Sequence, residues 1–339
     1  MLQCQFASDN ATGVHPKVLE MLTLANAGAA IAYGDDEWTA KAVERFHSLF
    51  GPDIDVLLVP LGTGANTLSL RAMARSWQCI LCSETAHIRN TESASVEAIV
   101  GVKLTALPTV AGKIKAEDIP RFTSPVISQH QPQPRILSLT QSTERGTVYS
   151  VAELKEICGT ASAHGLLVQM DGTRIANAAV SLGCELRTIT RDVGVDVLTF
   201  GGTKNGLMCA EAVIFFNRAL SEGALTLRKQ CCQLYSKMRY IAAQYLAYFE
   251  DDLWRENARN ANAMARYLAE SLRDVPGVSI AFPVEANGVF AQMSQKHIAR
   301  VRERYYFGET AGIARWVCSF NTTKEDVDTF VDFIRRTAG

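Results

Sequence analysis

A lysine follows an apolar run inside a turn that is rich in glycine. The run VLTFGG at 197–202 leads directly into Thr203 and Lys204. A solvated surface lysine needs no such setting, whereas a lysine partly removed from water has a lowered pKa and is available as a neutral amine. A neutral amine can attack a carbonyl carbon and form a Schiff base. The stretch therefore predicts that Lys204 is a nucleophile.

A carboxylate stands near the end of a second apolar run, LLVQMDGTR at 166–174. Burial of Asp171 there is costly unless a cation or a protonated group meets it. Arg174 is one possible partner, in a local ion pair. The other interpretation is that Asp171 faces a protonated nitrogen of a bound ligand.

A third turn follows the apolar run DVLLVP at 55–60 and opens a helical stretch. Its residues Gly62, Thr63 and Gly64 would direct backbone amides and the positive end of the helix dipole at one point, which suits a phosphate. Taken alone, the stretch is equally consistent with a turn made of small residues. Thr67 stands where a dinucleotide fingerprint has a glycine, and the Lys-Ser/Thr pair of a P-loop is absent.

These turns belong to a chain in which short apolar runs alternate with helical stretches, and this alternation predicts an α/β fold with parallel strands. Ligands of such sheets lie beyond the carboxyl ends of the strands, so the three turns should share one edge. One ligand with a phosphate, a basic ring nitrogen and an aldehyde would satisfy all three: pyridoxal 5'-phosphate. Its phosphate would lie on 62–64, its nitrogen at Asp171 and its aldehyde on Lys204, with the glycines of 200–206 letting the backbone approach it.

The length of the chain, 339 residues, exceeds one typical core and predicts a large domain with a smaller one. The expected division is an N-terminal segment at 1–14, a large cofactor-binding domain at 15–250 and a small C-terminal domain at 251–339. The chain reads as helix almost throughout from Leu227 to Leu272, and strands and helices then alternate. An irregular connection is expected at 121–135, which is rich in proline and polar residues.

Composition excludes several functional classes. With a net charge of −1, the chain has no basic surplus for nucleic acid or an anionic membrane. Its apolar runs fall short of the roughly 20 residues that a membrane helix needs. No signal peptide is recognisable at the N-terminus, and nine cysteines without a regular framework suit a reducing compartment, so a cytoplasmic location is expected. Cys79 and Cys82 form a CxxC that is interpreted as buried strand thiols; without a second Cys or His pair, no metal is expected.

The sequence resembles the threonine aldolases, within the fold-type-I group of pyridoxal-phosphate enzymes. The resemblance covers nearly the whole chain. The form QSTERGTVY at 141–149, together with QLYSKMRYIAAQYLAY at 233–248, looks more like the low-specificity and phenylserine aldolase branch. The resemblance implies an aspartate-aminotransferase-type fold, with a mostly parallel seven-stranded sheet in the large domain and a small α+β C-terminal domain. The motifs that carry it are SDNATGVHP at 8–16, AYGDDEWT at 32–39, LGTGAN at 61–66, ETAHIRNTES at 84–93, SLTQSTERGTVY at 138–149, QMDGTRIANA at 169–178 and FGGTKNG at 200–206.

The resemblance also implies roles for individual residues. His87 matches the histidine that stacks on the cofactor ring, where the alternative is an ordinary histidine of a loop or helix. His130 matches a second histidine near the β-hydroxyl of the substrate, where a solvated loop histidine is the alternative. The groups that hold the substrate carboxylate match Ser8, Arg174 and Arg315; for Arg315 the alternative is a surface charge.

Residues at a subunit boundary are implied as well. The family uses a basic residue of a neighbouring subunit to reach the phosphate, and Arg228 or Lys229 is the candidate for it. Tyr33 is expected to reach across the same boundary, and Thr203 to contact the cofactor beside Lys204. The resemblance thus implies at least a homodimer, and a homotetramer is expected.

The predicted function is retro-aldol cleavage of L-β-hydroxy-α-amino acids of the threonine, allo-threonine and phenylserine type to glycine and an aldehyde. His130, or a water that it orients, would remove the hydroxyl proton. One alternative is β-elimination or transamination on the same fold, with Lys204 and Asp171 retained. Another is a relative that binds the cofactor or a partner protein without turnover. The preferred aldehyde side chain and the stereochemistry at Cβ stay open.

Overall fold

The computed structural model describes residues 2–123 and 129–338 of the chain. Its main sheet has seven strands in the order β1-β7-β6-β5-β4-β2-β3, which confirms the predicted α/β fold. All neighbouring strands are parallel except those that pair with β7, which runs antiparallel to both β1 and β6. The strands are β1 Asp55–Val59, β2 Gln78–Ser83, β3 Lys103–Leu107, β4 Gln133–Thr140, β5 Leu167–Gly172, β6 Val197–Gly201 and β7 Glu211–Phe215.

Burial explains why these runs are strands. Every residue of β6 and of β7 is buried, because helices cover both faces of the sheet. The same burial accounts for the paired cysteines: Cys79 and Cys82 are buried thiols in β2, as predicted. The α-helices are α1 Pro16–Ala25, α2 Glu37–Phe50, α3 Gly62–Met73, α4 His87–Asn90, α5 Ser95–Val100, α6 Val151–Ala163, α7 Ile175–Leu182, α8 Ala224–Gln230, α9 Arg239–Phe249, α10 Leu253–Ser271, α11 Gln295–Arg302 and α12 Lys324–Thr337.

The helix expected from Leu227 to Leu272 is interrupted in two places. Residues 231–238 separate α8 from α9, and Cys232 there has a left-handed backbone with φ of 58°. Asp251 and Asp252 are left-handed as well, with φ of 50° and 56°, between α9 and α10. Aspartate tolerates this conformation better than most residues, so its short polar side chain marks a break that apolar periodicity does not show.

A second, antiparallel sheet follows α10. Its four strands are β8 Ser279–Ile280, β9 Gly288–Gln292, β10 Gly308–Thr310 and β11 Ile313–Val317, in the order β10-β11-β9-β8. Trp316 and Phe330 are central to the core between this sheet and α12. Helix α10 joins the two cores, since Trp254 near its start packs in the core of the large sheet and Leu268 near its end in that of the small one. The domain limits at 1–14, 15–250 and 251–339 stay a prediction.

Two further expectations concern chain connections. The irregular connection at 121–135 is only partly described, because residues 124–128 lie outside the described residues; a 3-10 helix ends at Phe122 before it, and β4 begins at Gln133 after it. None of the helices in the described part of the chain is both long and apolar enough to span a membrane.

Candidate active site

The lysine turn lies beyond the carboxyl end of β6, where Thr203, Lys204 and Asn205 form one 3-10 turn. Its glycines are needed for close packing of protein backbone. A Cβ on Gly201 would lie 2.4 Å from the carbonyl oxygen of Thr173, and one on Gly202 would lie 2.8 Å from that of Ala210. The missing side chains at these two positions admit neighbouring chain segments, which fix the position of Lys204. The expectation that the glycines of 200–206 let the backbone approach the cofactor stays a prediction.

The asparagine beside the lysine anchors the turn. The Asn205 side chain donates to the Tyr248 hydroxyl at 2.7 Å and to the Trp254 carbonyl at 2.8 Å. In return, the Asn257 side chain donates to the Asn205 carbonyl at 2.9 Å. These buried bonds tie the turn to α9 and α10, so Lys204 is presented from a rigid support.

Lys204 is removed from water as its sequence setting predicted. Burial lowers the pKa of its amine, and the nearby guanidinium of Arg174 lowers it further. A buried amine with a lowered pKa is available in its neutral, nucleophilic form. Lys204 lines two adjoining cavities, which share only Asn10, His87 and Lys204 among their described lining residues.

The first of these, here called the glycine cavity, has a volume of about 270 Å³ and contains the start of α3. No side chain caps that helix end, so the amides of its first turn are open to an anion. The predicted phosphate residues Gly62 and Thr63 line the cavity together with Thr203. An uncapped helix end of this kind suits a phosphate group.

Asp171, near the end of β5, is buried and held by neighbours. Its Oδ1 accepts from the backbone amide and the hydroxyl of Thr173, and its Oδ2 accepts from Asn66 Nδ2 at 3.0 Å. A carboxylate oxygen has two acceptor positions, so Oδ2 retains one for a protonated ring nitrogen. With the uncapped α3 and the amine of Lys204, whose pKa is lowered, the residues present fit pyridoxal phosphate.

A buried carboxylate connects this group to the predicted stacking histidine. Glu92 Oε1 accepts from Asn66 Nδ2 at 2.9 Å and lies 2.7 Å from His87 Nδ1, and the Glu92 side chain has no exposed surface. Asn66 thus bridges the two carboxylates of Glu92 and Asp171. His87 begins α4 after β2 and lines both cavities, so the network fixes its ring beside Lys204.

The second cavity, here called the arginine cavity, has a volume of about 200 Å³ and contains Arg174, Arg315 and Ser8. Arg174 is held by a buried ion pair: its Nε and Nη2 donate to the two carboxylate oxygens of Asp9 at 2.7 and 3.0 Å. Although burial opposes it, the Arg174 guanidinium lowers the pKa of the Asp9 carboxyl. Asn287 also donates to Asp9, at 3.1 Å.

Arg315 comes to the arginine cavity from β11 of the small sheet. Burial lowers the pKa of its guanidinium, and the charge of Arg174 lowers it further. None of the salt bridges among the described residues involves Arg315. Two converging guanidinium groups, one of them without a protein carboxylate, are suited to an anionic ligand such as a carboxylate.

Two carboxyls that line the cavities beside Lys204, the buried Glu211 and the half-buried Glu144, have no predicted role. Glu211 begins β7 and lines the glycine cavity, its Oε2 has no hydrogen-bond partner, and burial raises its pKa to about 7. Glu144 follows β4 and lines the arginine cavity, and burial raises its pKa above the usual range.

The structure does not bring His130 to this site. It lies exposed in a turn before the first residue of β4, whereas the site lies beyond the last one, roughly 25 Å away for a strand of this length. Within one chain His130 therefore lies away from the site, and its expected place near the β-hydroxyl stays a prediction that would need a second subunit.

The subunit-boundary residues lie outside the lining of both cavities. Tyr33 is 47% exposed, and its ring lies 5.1 Å from Lys229 Nζ. Arg228 Nη1 donates to the Leu58 carbonyl at 3.4 Å, its Nε has no partner, and burial lowers its pKa. Within one chain these residues do not contact the lysine turn, so a role for them needs a second subunit.

Sequence reasoning missed Asp9, Asn66, Glu92, Glu144 and Glu211. Four of them stand inside or at the edge of the motifs SDNATGVHP, LGTGAN, ETAHIRNTES and SLTQSTERGTVY. For Glu144 the available signal was a polar residue within a turn that follows an apolar strand, which is where side chains reach a shared edge. Asn66 lies inside α3 and Asp9 precedes the first strand, so neither gave that signal. Glu211 had no such signal, because it begins a strand.

Comparison with known proteins supports the resemblance to the threonine aldolases. The family model for beta-eliminating lyases matches residues 5–296. The chain is 44% identical to a low specificity L-threonine aldolase of Pseudomonas aeruginosa, over 99% of this chain and 98% of the relative. A solved Leishmania major threonine aldolase superposes with a TM-score of 0.92 at 29% identity, covering 99% of this chain and all of that one. A Thermus thermophilus aspartate aminotransferase shares the fold, with a TM-score of 0.75 at 14% identity and coverage of 99% and 91%.

Proposed function

The chain belongs to the beta-eliminating lyase family, among the low-specificity L-threonine aldolases, and from this premise we propose that it cleaves L-β-hydroxy-α-amino acids to glycine and an aldehyde where its two cavities meet. It is a lyase, and its cofactor is pyridoxal 5'-phosphate. The observation that carries the proposal is the position of Lys204, a half-buried amine with a lowered pKa at the junction of a cavity for a phosphate and a cavity for a carboxylate.

The residues that would hold the cofactor lie around the glycine cavity. Its phosphate would bind at 62–64 and Thr203, its ring nitrogen at Asp171 and beside His87, and its aldehyde carbon would bond to Lys204. When bound, pyridoxal phosphate supplies an electron-withdrawing ring that accepts the electron pair of a broken bond at Cα. The carboxylate of Asp171 keeps the ring nitrogen protonated, which strengthens that withdrawal.

The arginine cavity orients the amino acid. Arg174 and Arg315 bind its carboxylate, with Ser8 as an additional donor, and Asp9 holds Arg174 in place. A carboxylate fixed at one end leaves only a few orientations for the bond between Cα and Cβ, and this selects which bond at Cα breaks. The substrates expected are L-threonine, L-allo-threonine and phenylserine-type amino acids.

Assembly is part of the proposal. Tyr33, Leu61 and Met208 are exposed apolar side chains; Leu61 and Met208 line the glycine cavity, and Lys229 lies beside the Tyr33 ring. We infer that a second subunit covers these side chains and that its Tyr33 and its Arg228 or Lys229 complete the site, in a homodimer or a homotetramer. Light scattering coupled to gel filtration measures the state directly, and an active monomer would contradict this inference.

The location is likewise proposed. The nine thiols of the described chain are all free, which supports a reducing compartment such as the cytoplasm. In that compartment the reaction would serve amino-acid metabolism by releasing glycine.

Product analysis tests the function. The purified holoenzyme is incubated with L-threonine, L-allo-threonine, L-phenylserine, L-serine and L-cysteine. Equal amounts of glycine and aldehyde from the first three support the proposal. Pyruvate and ammonia from serine or cysteine, with no aldehyde from the others, would show β-elimination and overturn it. Amino-group transfer to a keto acid would show an aminotransferase.

A further inference from the structure

The arginine cavity contains a carboxyl that is held at a defined position. Glu144 Oε1 accepts from the backbone amide of His87 at 2.9 Å and from the Thr140 hydroxyl at 2.8 Å. Two donors fill the two acceptor positions of Oε1. Any proton that the carboxyl takes up or releases must therefore be carried by Oε2.

Oε2 is only weakly engaged by the protein. Among the described residues, its one neighbour within hydrogen-bond range is the Thr85 hydroxyl at 3.4 Å, and that hydroxyl lies closer to Ser83 Oγ, at 2.8 Å. A bond of 3.4 Å is at the long limit for hydroxyl donors. Oε2 is thus available to a ligand in the cavity.

Cleavage of a β-hydroxy amino acid requires a group that accepts the hydroxyl proton. Glu144 is the only carboxyl among the described residues that line the arginine cavity. The other groups with a suitable nitrogen already have a place in the proposed function: Lys204 holds the cofactor, and His87, which Glu92 fixes through Nδ1, lies beside the cofactor ring. His130 lies at the opposite edge of the sheet.

We propose that Glu144 is the catalytic base that removes the β-hydroxyl proton of the substrate. This inference rests on the proposed function. The O–H bond and the Cα–Cβ bond break, a proton joins Oε2, and the Cβ–O bond becomes the carbonyl of the aldehyde. The electron pair of the Cα–Cβ bond is left at Cα, and Cα then takes up a proton to give glycine. Glu144 releases its proton to solvent before the next turnover.

The charges around Glu144 are consistent with this role. Burial raises the pKa of its carboxyl, and the neighbouring carboxylate of Asp171 raises it further, against hydrogen bonds from Thr140 and His87 that lower it. The positive charge of Arg174 also faces it, and the Cys82 and Tyr149 side chains lie near enough to feel its charge. A base works best when its pKa lies near the working pH, so the raised pKa makes Glu144 more effective than an exposed glutamate.

The test compares two reactions of the holoenzyme Glu144→Gln variant. Cleavage of L-threonine and L-phenylserine should fall about 10²- to 10⁴-fold in kcat, which is the range for loss of a general base. Exchange of the glycine α-proton with D₂O, followed by NMR, should stay within a few-fold of wild type, because glycine has no β-hydroxyl. Visible absorption of the bound cofactor should be unchanged. Glu144→Asp should recover part of the cleavage.

A matched control is Glu84→Gln. Glu84 also accepts from one backbone amide and one hydroxyl, both of Thr109, but it is exposed and lines neither cavity, so cleavage should be unchanged. The inference is overturned if Glu144→Gln cleaves within about three-fold of wild type, or if cleavage and glycine exchange fall together. A wild-type enzyme that exchanges glycine but cleaves no substrate would instead overturn the proposed function.

Discussion

The two cavities that meet at Lys204 are built in different ways. The glycine cavity is lined mainly by turns that follow β1, β2, β5 and β6 of one sheet. The arginine cavity collects the N-terminal segment, the turn after β4, and residues of β9 and β11 from the other sheet. A cofactor site can therefore be specified within one sheet, whereas the substrate site exists only when both sheets are folded and packed.

Their charges differ as well. The glycine cavity has an uncapped helix end and two carboxyls, Glu92 and Glu211. The arginine cavity has two guanidinium groups and the single carboxyl of Glu144. The first combination suits a phosphate at the helix end with a positively charged group near the carboxyls, and the second suits a carboxylate together with a hydroxyl that must lose a proton. Variants that change one cavity should therefore leave the function of the other intact.

Loss of Lys204, which lines both cavities, should abolish catalysis and covalent binding of the cofactor together. Lys204→Ala is expected to lower kcat by at least about 10³-fold, because the nucleophilic amine is gone, and to abolish the visible absorption of covalently bonded cofactor. Absorption spectra and aldehyde release measure both effects. Lys41→Ala on α2, which changes an exposed lysine, is the control and should match wild type. Full activity of Lys204→Ala would refute the shared role.

Arg315→Met should affect the arginine cavity alone. Loss of a charged bidentate contact costs about 3 kcal/mol, so kcat/KM for L-threonine should fall roughly 100-fold, mainly through KM. Cofactor affinity, measured by fluorescence titration, should stay within two- to three-fold of wild type because the glycine cavity is unchanged. Arg335→Met on α12 is the control. A large loss of cofactor affinity would show that the cavities are not separable.

Glu211→Gln, in the glycine cavity, should change how the stability of the protein depends on pH. A carboxyl whose pKa is raised to about 7 in the folded state contributes stability that is full below its unfolded pKa of 4.5 and is lost as the pH rises to about 7. The variant has no such carboxyl and does not lose this stability. The difference between its free energy of unfolding and that of wild type should therefore rise by about 2 to 3 kcal/mol in favour of the variant between pH 4.5 and pH 8. Thermal unfolding of the cofactor-free proteins measures it, and parallel pH curves would contradict it.

Thr63→Val should give the smallest effect. It keeps the shape of an exposed residue in the first turn of α3 and removes one hydroxyl, at a cost of about 1 kcal/mol. Cofactor affinity should weaken roughly five-fold, while KM for L-threonine at saturating cofactor stays unchanged. Thr23→Val, on α1, is the control for loss of a threonine hydroxyl elsewhere. A change in KM alone would place Thr63 at the substrate.

The glycine cavity was the part that could be predicted from sequence. Gly62, Asp171 and Lys204 each follow an apolar strand, and parallel strands bring such positions to one edge. The local sequence pattern was sufficient because the strand beside each of these residues determines where that residue lies. The seven-stranded sheet and the α/β class follow from the same alternation of runs, together with the family resemblance.

The arginine cavity could be predicted only in part. Arg174, Arg315 and Ser8 were assigned from family resemblance, but the Asp9 carboxylate that holds Arg174 is 165 positions away in the chain, and no periodicity connects them. His130 was also assigned from family resemblance, by its position a few residues before β4. The strand separates it from the site, and Glu144, beyond the other end of β4, lies in the cavity instead.

The central claim is that the amine of Lys204 bonds covalently to pyridoxal phosphate at the junction of the two cavities. Borohydride reduction of the holoenzyme fixes such a bond, and mass spectrometry of the digested protein then locates the added mass. The mass of the reduced cofactor on the peptide that contains Lys204, and on no other lysine, is the predicted result. A label on a different lysine, or none at all in a protein that cleaves L-threonine, would contradict the account.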